Sequence, residues 1–377
     1  MAIETLPDFL SAEKCGRLVI KIGSALLIDD GGDVRCEWLR SVITEVKAAR
    51  DRGQDVVIVS SGSIALGAAR LGVSGGGRRT LSEAQACAAV GQIALAGAWA
   101  ELLWEQGLVA AQMLLTLDDL EERSRYLNIS ATFSRLLGEG VVPVVNENDT
   151  IATDEIRFGD NDRLAARTAQ ACTADGVILL TDVDGLYDRH PAQPGAQRLP
   201  EVRGVTEEIH RMAGGESGSG VGTGGMTAKL LAAELAERAG IALSIMDGTP
   251  MNPIGRTMET GGGTLFLPKR DDSGRRAWIG GRLRFAGALT VDEGCVRALE
   301  AGKSLLAAGI TGVTGRFERG DVLPIHAPDG RMVAKGIVEY GHEEAAAILG
   351  KSIEDQQAIL GHAPRSCVVH RDHLVLL

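Results

Sequence analysis

GVILLTDVDG, residues 176–185, is a run of branched apolar side chains that stops on Thr181 and Asp182 and turns at Gly185. A strand without polar alternation has both faces buried, which places it inside a sheet covered by helices on each side. Outward from it the pattern recurs four times, as LVIKIGS (18–24), DVVIVSSGS (55–63), VVPVVNEND (141–149) and LSIMDG (243–248). Between them, Glu37 to Arg52, Ser82 to Gln106, Asp162 to Thr173 and Met226 to Ala239 space their apolar residues by three and four and read as helices. Strand and helix in alternation predict an α/β fold, a three-layer αβα sandwich with a mostly parallel sheet. Hydrophobic residues are 45% of the chain and aromatics only 3%, so the core must be built from Ala, Val, Leu and Ile.

In such sheets ligands bind where loops converge at the carboxyl ends of the strands. The polar residues at those ends are Lys21, Gly23 and Ser24; Ser60, Ser61 and Gly62; Asn146, Asn148 and Asp149; Thr181 and Asp182. Four ends with this chemistry point to one shared site. The stretch NENDTIATDEIRFGDND (146–162) adds carboxylates and amides in close order, a set suited to gripping a zwitterion: carboxylate against ammonium, N–H against carboxylate. An amino acid is the expected ligand.

The stretch GESGSGVGTGGMTAK (215–229) runs into an amphipathic helix. Free backbone N–H groups and the positive end of the helix dipole suit a phosphate there, with Lys229 in the first turn as a compact cation. Gly220, Gly222 and Gly225 satisfy a GxGxxG pattern, but no strand precedes them, which argues against a dinucleotide fold. AGKS (301–304) has Arg297 where a P-loop needs its first glycine, and HRD (370–372) lies at the chain end with no DFG after it. His370 and His373 read as part of a surface tail.

At 377 residues the chain exceeds one hydrophobic core, and two domains are expected. Residues 248–287 are rich in Gly, Pro and charge and mark the break, with GTLFLP (263–268) as a last edge strand. Beyond it, ALTVDEG (288–294), GVTG (312–315) and DVLPIHAPDGRMVAKGIVEY (321–340) read as a compact β-rich module. The expected divisions are a flexible extension at 1–16, a large domain at 17–270, a linker at 271–286, the β-rich domain at 287–365 and a tail at 366–377.

A net charge of −11 argues against general binding to nucleic acid or acidic membranes, and residues 287–377 carry 9 Lys and Arg against 12 Asp and Glu. Six scattered cysteines without a CxxC pair read as reduced thiols of a cytoplasmic protein. The acidic N-terminus does not read as a secretory signal. The most apolar segment, Ala88 to Trp104, is interrupted by Gln92 and Glu101 and reads as a buried helix, so no membrane partner is expected.

With VIKIGSALL (19–27), VIVSSGSIALG (57–67), AAVGQ (88–92), PVVNENDTIATDEIRFGDND (143–162), LLTDVDGLYDRHP (179–191), GTGGMTAK (222–229) and LTVDEG (289–294) assembled in this order, the chain resembles the amino acid kinase family over roughly residues 17–365. Its β-rich part is similar to a PUA domain, a module named for RNA-modifying enzymes. The resemblance implies ATP and Mg²⁺ as cofactors, and phosphorylation of the side-chain carboxylate of L-glutamate as the first step of proline synthesis. It implies that Lys21 and Lys229 flank the transferring phosphoryl group and that Asp162 orients them. Thr181, Asp182, Thr223, Gly224, Gly225, Met226, Thr227, Ala228 and Lys229 would bind ATP together with Lys21, and Ser61, Asp149 and Asn161 would hold glutamate. No protein ligand for the metal is named. The family further implies a homo-oligomer and feedback inhibition by proline.

A glutamate side chain ionises with a pKa of about 4.3, so the nucleophile needs no general base at neutral pH. The reaction needs charge neutralisation instead, since a carboxylate must approach the anionic γ-phosphate. The competing readings are sibling kinases of acetylglutamate, aspartate, carbamate or UMP, which lack the PUA-like part, and an RNA-binding protein, which the charge of that part does not favour.

Overall fold

Eight strands form the first sheet: β1 (Arg17–Ile22), β2 (Asp55–Val59), β3 (Ala110–Leu115), β4 (Val142–Glu147), β5 (Gly176–Thr181), β6 (Glu201–Arg203), β7 (Ala242–Asp247) and β8 (Thr264–Leu267). The coordinates are a computed structural model that describes residues 2–29, 31–151, 160–213, 223–268 and 285–376. They divide into two compact units, Met1–Glu121 with Ile129–Asp271, and Glu122–Asn128 with Asp272–Leu377.

In the first unit the strand order is β3-β4-β2-β1-β5-β7-β8-β6. All neighbours from β3 to β7 are parallel; β8 runs antiparallel to β7, and β6 runs parallel to β8. The five runs read from sequence are β1, β2, β4, β5 and β7. Their near-complete burial, total in β5, is why they lack alternation. GTLFLP is β8, an interior strand rather than the expected edge, because the three-residue β6 pairs beyond it. Strand β1 lies between β2 and β5, so its outgoing loop and that of β5 part to opposite sides. Such a switch point opens a crevice at the carboxyl ends of the strands.

The helix Leu81–Glu105 buries Ala84, Cys87, Ala88, Gly91, Leu95, Trp99, Leu102 and Leu103 along one face, at helical spacing. By length and composition it could cross a membrane, yet that face belongs to the protein core, and Trp99 Nε1 donates to Ser60 Oγ at 2.9 Å. Two glycines bring it unusually close to the helix Ser63–Leu71. A Cβ on Gly67 would lie 1.8 Å from the carbonyl oxygen of Cys87, and one on Gly91 would lie 1.8 Å from that of Ser63.

Residues 2–16 are packed, which corrects the expectation of a flexible extension. Phe9, in the short 3-10 turn Leu6–Leu10, is wholly buried. It fits because β5 starts with Gly176, whose missing Cβ would stand 2.5 Å from the Phe9 ring. The buried amide of Gln54 donates to the carbonyls of Phe9 and Cys15 at 2.8 and 2.7 Å, satisfying backbone that would otherwise be stranded. Asp8 accepts from the backbone N–H of Glu4 and Thr5, both at 2.9 Å, and from Lys14 at 3.0 Å.

The second unit holds a five-stranded sheet of β9 (Gly287–Val291), β10 (Ile310–Gly315), β11 (Val322–His326), β12 (Met332–Val338) and β13 (Val369–Leu376), in the order β10-β9-β11-β12-β13. Its pairs are antiparallel except β9 with β11. Leu289, Val291, Leu323, Ile325, Val338, Tyr340 and Val369 build its core. Strand β13 corrects the reading of residues 366–377 as a tail. It pairs with β12 through Ala334–Leu376 and Val338–Val369, and His373 is buried rather than at the surface. Its polar centre, His370 to His373, hid it from a reading by apolar runs. The expected linker, 271–286, falls almost entirely outside the described residues.

Candidate functional site

The crevice at the carboxyl ends of β1, β2, β4 and β5 is a cavity of about 280 Å³. From the expected residues it gathers Lys21, Ser61, Asp149, Asn161, Asp162, Thr181, Asp182, Gly225 and Lys229 into its wall.

Lys21 ends the apolar run of β1, and Lys229 lies in the second turn of the helix Thr223–Arg238, not the first as its sequence position suggests. Between them stands Asp162, in the first turn of the helix Asp160–Ala171 and wholly buried. Lys21 Nζ is 2.6 Å from Asp162 Oδ1, and Lys229 Nζ donates to Oδ2 at 3.2 Å. Each carboxylate oxygen thus serves one ammonium. Burial alone would raise the Asp162 pKa, but the charges of Lys21 and Lys229 outweigh it and hold the group below the usual carboxylate range. Burial pushes the Lys21 ammonium down and Lys229 adds to this, while Asp162 opposes both; the net direction is down. Two cations against one anion leave this buried cluster with one surplus positive charge, an arrangement that costs stability and favours an anionic guest beside the lysines.

Beside this cluster, Asn161 Nδ2 donates to Ser61 Oγ at 2.8 Å, and Ser63 Oγ donates to Asp149 Oδ2 at 3.0 Å. The Asn161 Oδ1 acceptor is buried and has no hydrogen-bond partner, so it is poised for a donor from a ligand. Thr181 Oγ1 donates to Asp182 Oδ1 at 3.0 Å on the other flank. Further back, Asn146 Nδ2 donates to Gln92 Oε1 at 2.7 Å and ties β4 to the helix Leu81–Glu105. One region therefore suits phosphate oxygens, and its neighbour suits a zwitterion.

Thr223 and Gly224 open the helix that carries Lys229, and Met226, Thr227 and Ala228 continue its first turns without lining the cavity. Residues 214–222 of the glycine-rich stretch, with Gly220 and Gly222, and residues 152–159 of the acidic stretch lie outside the described residues. Sequence reading missed Ser63, Glu147 and Arg78 in the wall. Ser63 and Glu147 stand within the quoted motifs and could have been found as strand-end neighbours. Arg78 follows a run of glycines far from any strand end and carries no such signal.

The amino acid kinase family model matches residues 16–247, and the PUA domain model matches residues 287–360. A glutamate 5-kinase of Novosphingobium aromaticivorans is 57% identical over all of both chains. One of Sphingopyxis alaskensis is 55% identical over 96% of this chain and 98% of its own. One of Zymomonas mobilis subsp. mobilis is 49% identical over 97% of this chain and 92% of its own. The wall of strand ends, the helix start beside Lys229 and these full-length likenesses agree: the chain belongs to the amino acid kinase family and carries a PUA domain in its second unit.

Proposed function

We propose that this chain transfers the γ-phosphoryl group of ATP to the side-chain carboxylate of L-glutamate, giving L-glutamyl 5-phosphate for proline synthesis. The observation that carries the reading is the buried Lys21–Asp162–Lys229 cluster next to the open acceptor of Asn161. A glutamate carboxylate oxygen attacks the γ-phosphorus while the bond to the β–γ bridging oxygen breaks and ADP leaves with that electron pair. No proton moves, because the nucleophile is already ionised. Lys21 and Lys229 neutralise the equatorial oxygens, and Asp162 fixes where both ammoniums stand, so no reorganisation is needed as charge develops.

Thr181, Asp182 and the helix start from Thr223 to Lys229 would hold ATP, and Ser61, Asp149 and Asn161 would hold glutamate, the carboxylate of Asp149 facing its ammonium. The excess positive charge of the cluster fits the phosphates. Mg²⁺ bound to those phosphates would withdraw charge from the transferring group. Proline, with a carboxylate and an ammonium like those of glutamate, fits the same zwitterion-binding end, which supports feedback inhibition there. A cytoplasmic location accords with six free cysteines, of which Cys15 and Cys172 are buried with thiols pushed up to about 12. A homo-oligomeric state completes the reading, with sedimentation as its check.

The test is incubation with ATP, Mg²⁺ and hydroxylamine, offering glutamate, aspartate, acetylglutamate or no acceptor, with and without proline. Hydroxamate with glutamate alone, reduced by proline, is the expected result. Signal with another acid instead would move the substrate.

A further inference from the structure

We infer that Arg78 binds the α-carboxylate of the amino acid substrate and so sets how strongly the enzyme holds it. This rests on the glutamate reading above. Glutamate brings two carboxylates into one cavity. The lysines are paired with Asp162 at the phosphoryl end, on β1 and the helix Thr223–Arg238. The second carboxylate then calls for a further cation in the cavity wall.

Arg78 lies in that wall. It follows Gly75, Gly76 and Gly77, whose φ angles of +75°, +73° and +70° turn the chain back through the left-handed region. The return point is fixed by packing: a Cβ on Gly77 would lie 2.7 Å from Cys87 Sγ and 2.9 Å from Ala68 Cβ. Ala68 and Cys87 form one apolar cluster with Ile64, and Ile64 lines the cavity next to Ser63, which holds Asp149. Arg78 is therefore anchored against the helix that carries Ser63 and Ile64 and lines the same cavity, with its Nη1 buried. A guanidinium keeps its charge at any working pH and matches a carboxylate with a planar fork. Asp149 for the ammonium and Arg78 for the α-carboxylate make a two-point clamp that leaves the side-chain carboxylate aimed at Lys21 and Lys229.

The experiment measures steady-state kinetics of Arg78→Ala and Arg78→Lys with glutamate and ATP varied separately. Arg78→Ala should raise KM for glutamate about ten- to a hundredfold, with kcat changed less than about threefold and KM for ATP unmoved. Arg78→Lys should fall between the two, since it keeps the charge and loses the fork. A parallel rise in KM for ATP, a fall in kcat at constant glutamate KM, or no change would overturn the assignment. Should the alanine variant fail to fold, Arg78→Gln carries the same test. A wild-type chain inert toward glutamate would overturn the substrate reading, whereas active wild type with an indistinguishable Arg78→Ala would overturn the arginine's role alone.

Discussion

The two ends of the eight-stranded sheet are built on opposite terms. At the carboxyl ends, Lys21, Asp162 and Lys229 are buried charges that stabilise the fold poorly and, in the proposed reaction, would stabilise a transition state. At the amino ends, Phe9, Gln54 and Asp8 close the sheet with apolar packing and satisfied hydrogen bonds, outside the lining of the cavity. The contrast teaches that the same strands can divide labour by polarity: the end that does chemistry carries cost, and the other end offsets it.

The contrast breaks first, if it breaks, at Lys229. Lys229→Ala should lower kcat by about a hundred- to a thousandfold while glutamate KM shifts little and thermal stability holds or rises. Equal losses in kcat and in glutamate affinity would instead make Lys229 an ordinary binding group. Next in size is Phe9→Ala, expected to destabilise the chain by about 3 kcal/mol in urea titration while the folded enzyme keeps its kcat/KM. A variant that stays stable but loses activity would erase the division of labour.

Asp8 sharpens it. Burial would raise its pKa, but the N–H of Glu4, Lys14 and the N–H of Thr5 outweigh that and bring it down to about 2. A lowered folded pKa gives stability that is full above the unfolded value of 3.8 and lost as pH falls toward 2. Asp8→Asn should therefore cost about 1 kcal/mol at neutral pH, with the gap to wild type closing in urea titrations taken progressively below pH 3.8.

Lys21 should show the smallest effect, with the same sign of pH dependence in an alkaline window. Its folded pKa is lowered from 10.5, so the unfolded chain binds more protons between the two values and stability from this group rises with pH there. The proposed phosphoryl transfer, however, needs the ammonium. The alkaline limb of kcat should fall at a pH below 10.5 without unfolding, as read by activity and circular dichroism on the same samples.

The parallel core was legible because strands buried on both faces write their burial as unbroken apolar runs, as in VILLT of β5. Where burial is partial the signal goes: β3 alternates unevenly, β6 is the three residues Glu201–Arg203, and β13 carries His370 to His373. Lys21, Asp162 and Lys229 were legible as polar residues at strand ends and helix starts, and resemblance supplied their roles. What the sequence did not carry was contact at a distance, such as the accommodation of Phe9 by Gly176 or the approach of Arg78 through its glycines.

The paired glycines of the two helices beside the site bear on how this chain can vary. Neither Gly67 nor Gly91 lines the cavity, yet each faces fixed backbone at 1.8 Å where a side chain would begin. Alanine, the mildest substitution available, already requires the helices to part, and with them Ser63 at the cavity wall. In a library of single variants selected for growth without proline, these two codons should tolerate as little as those of the lysines. Two positions with no chemistry of their own would then mark the site in the record of surviving sequences.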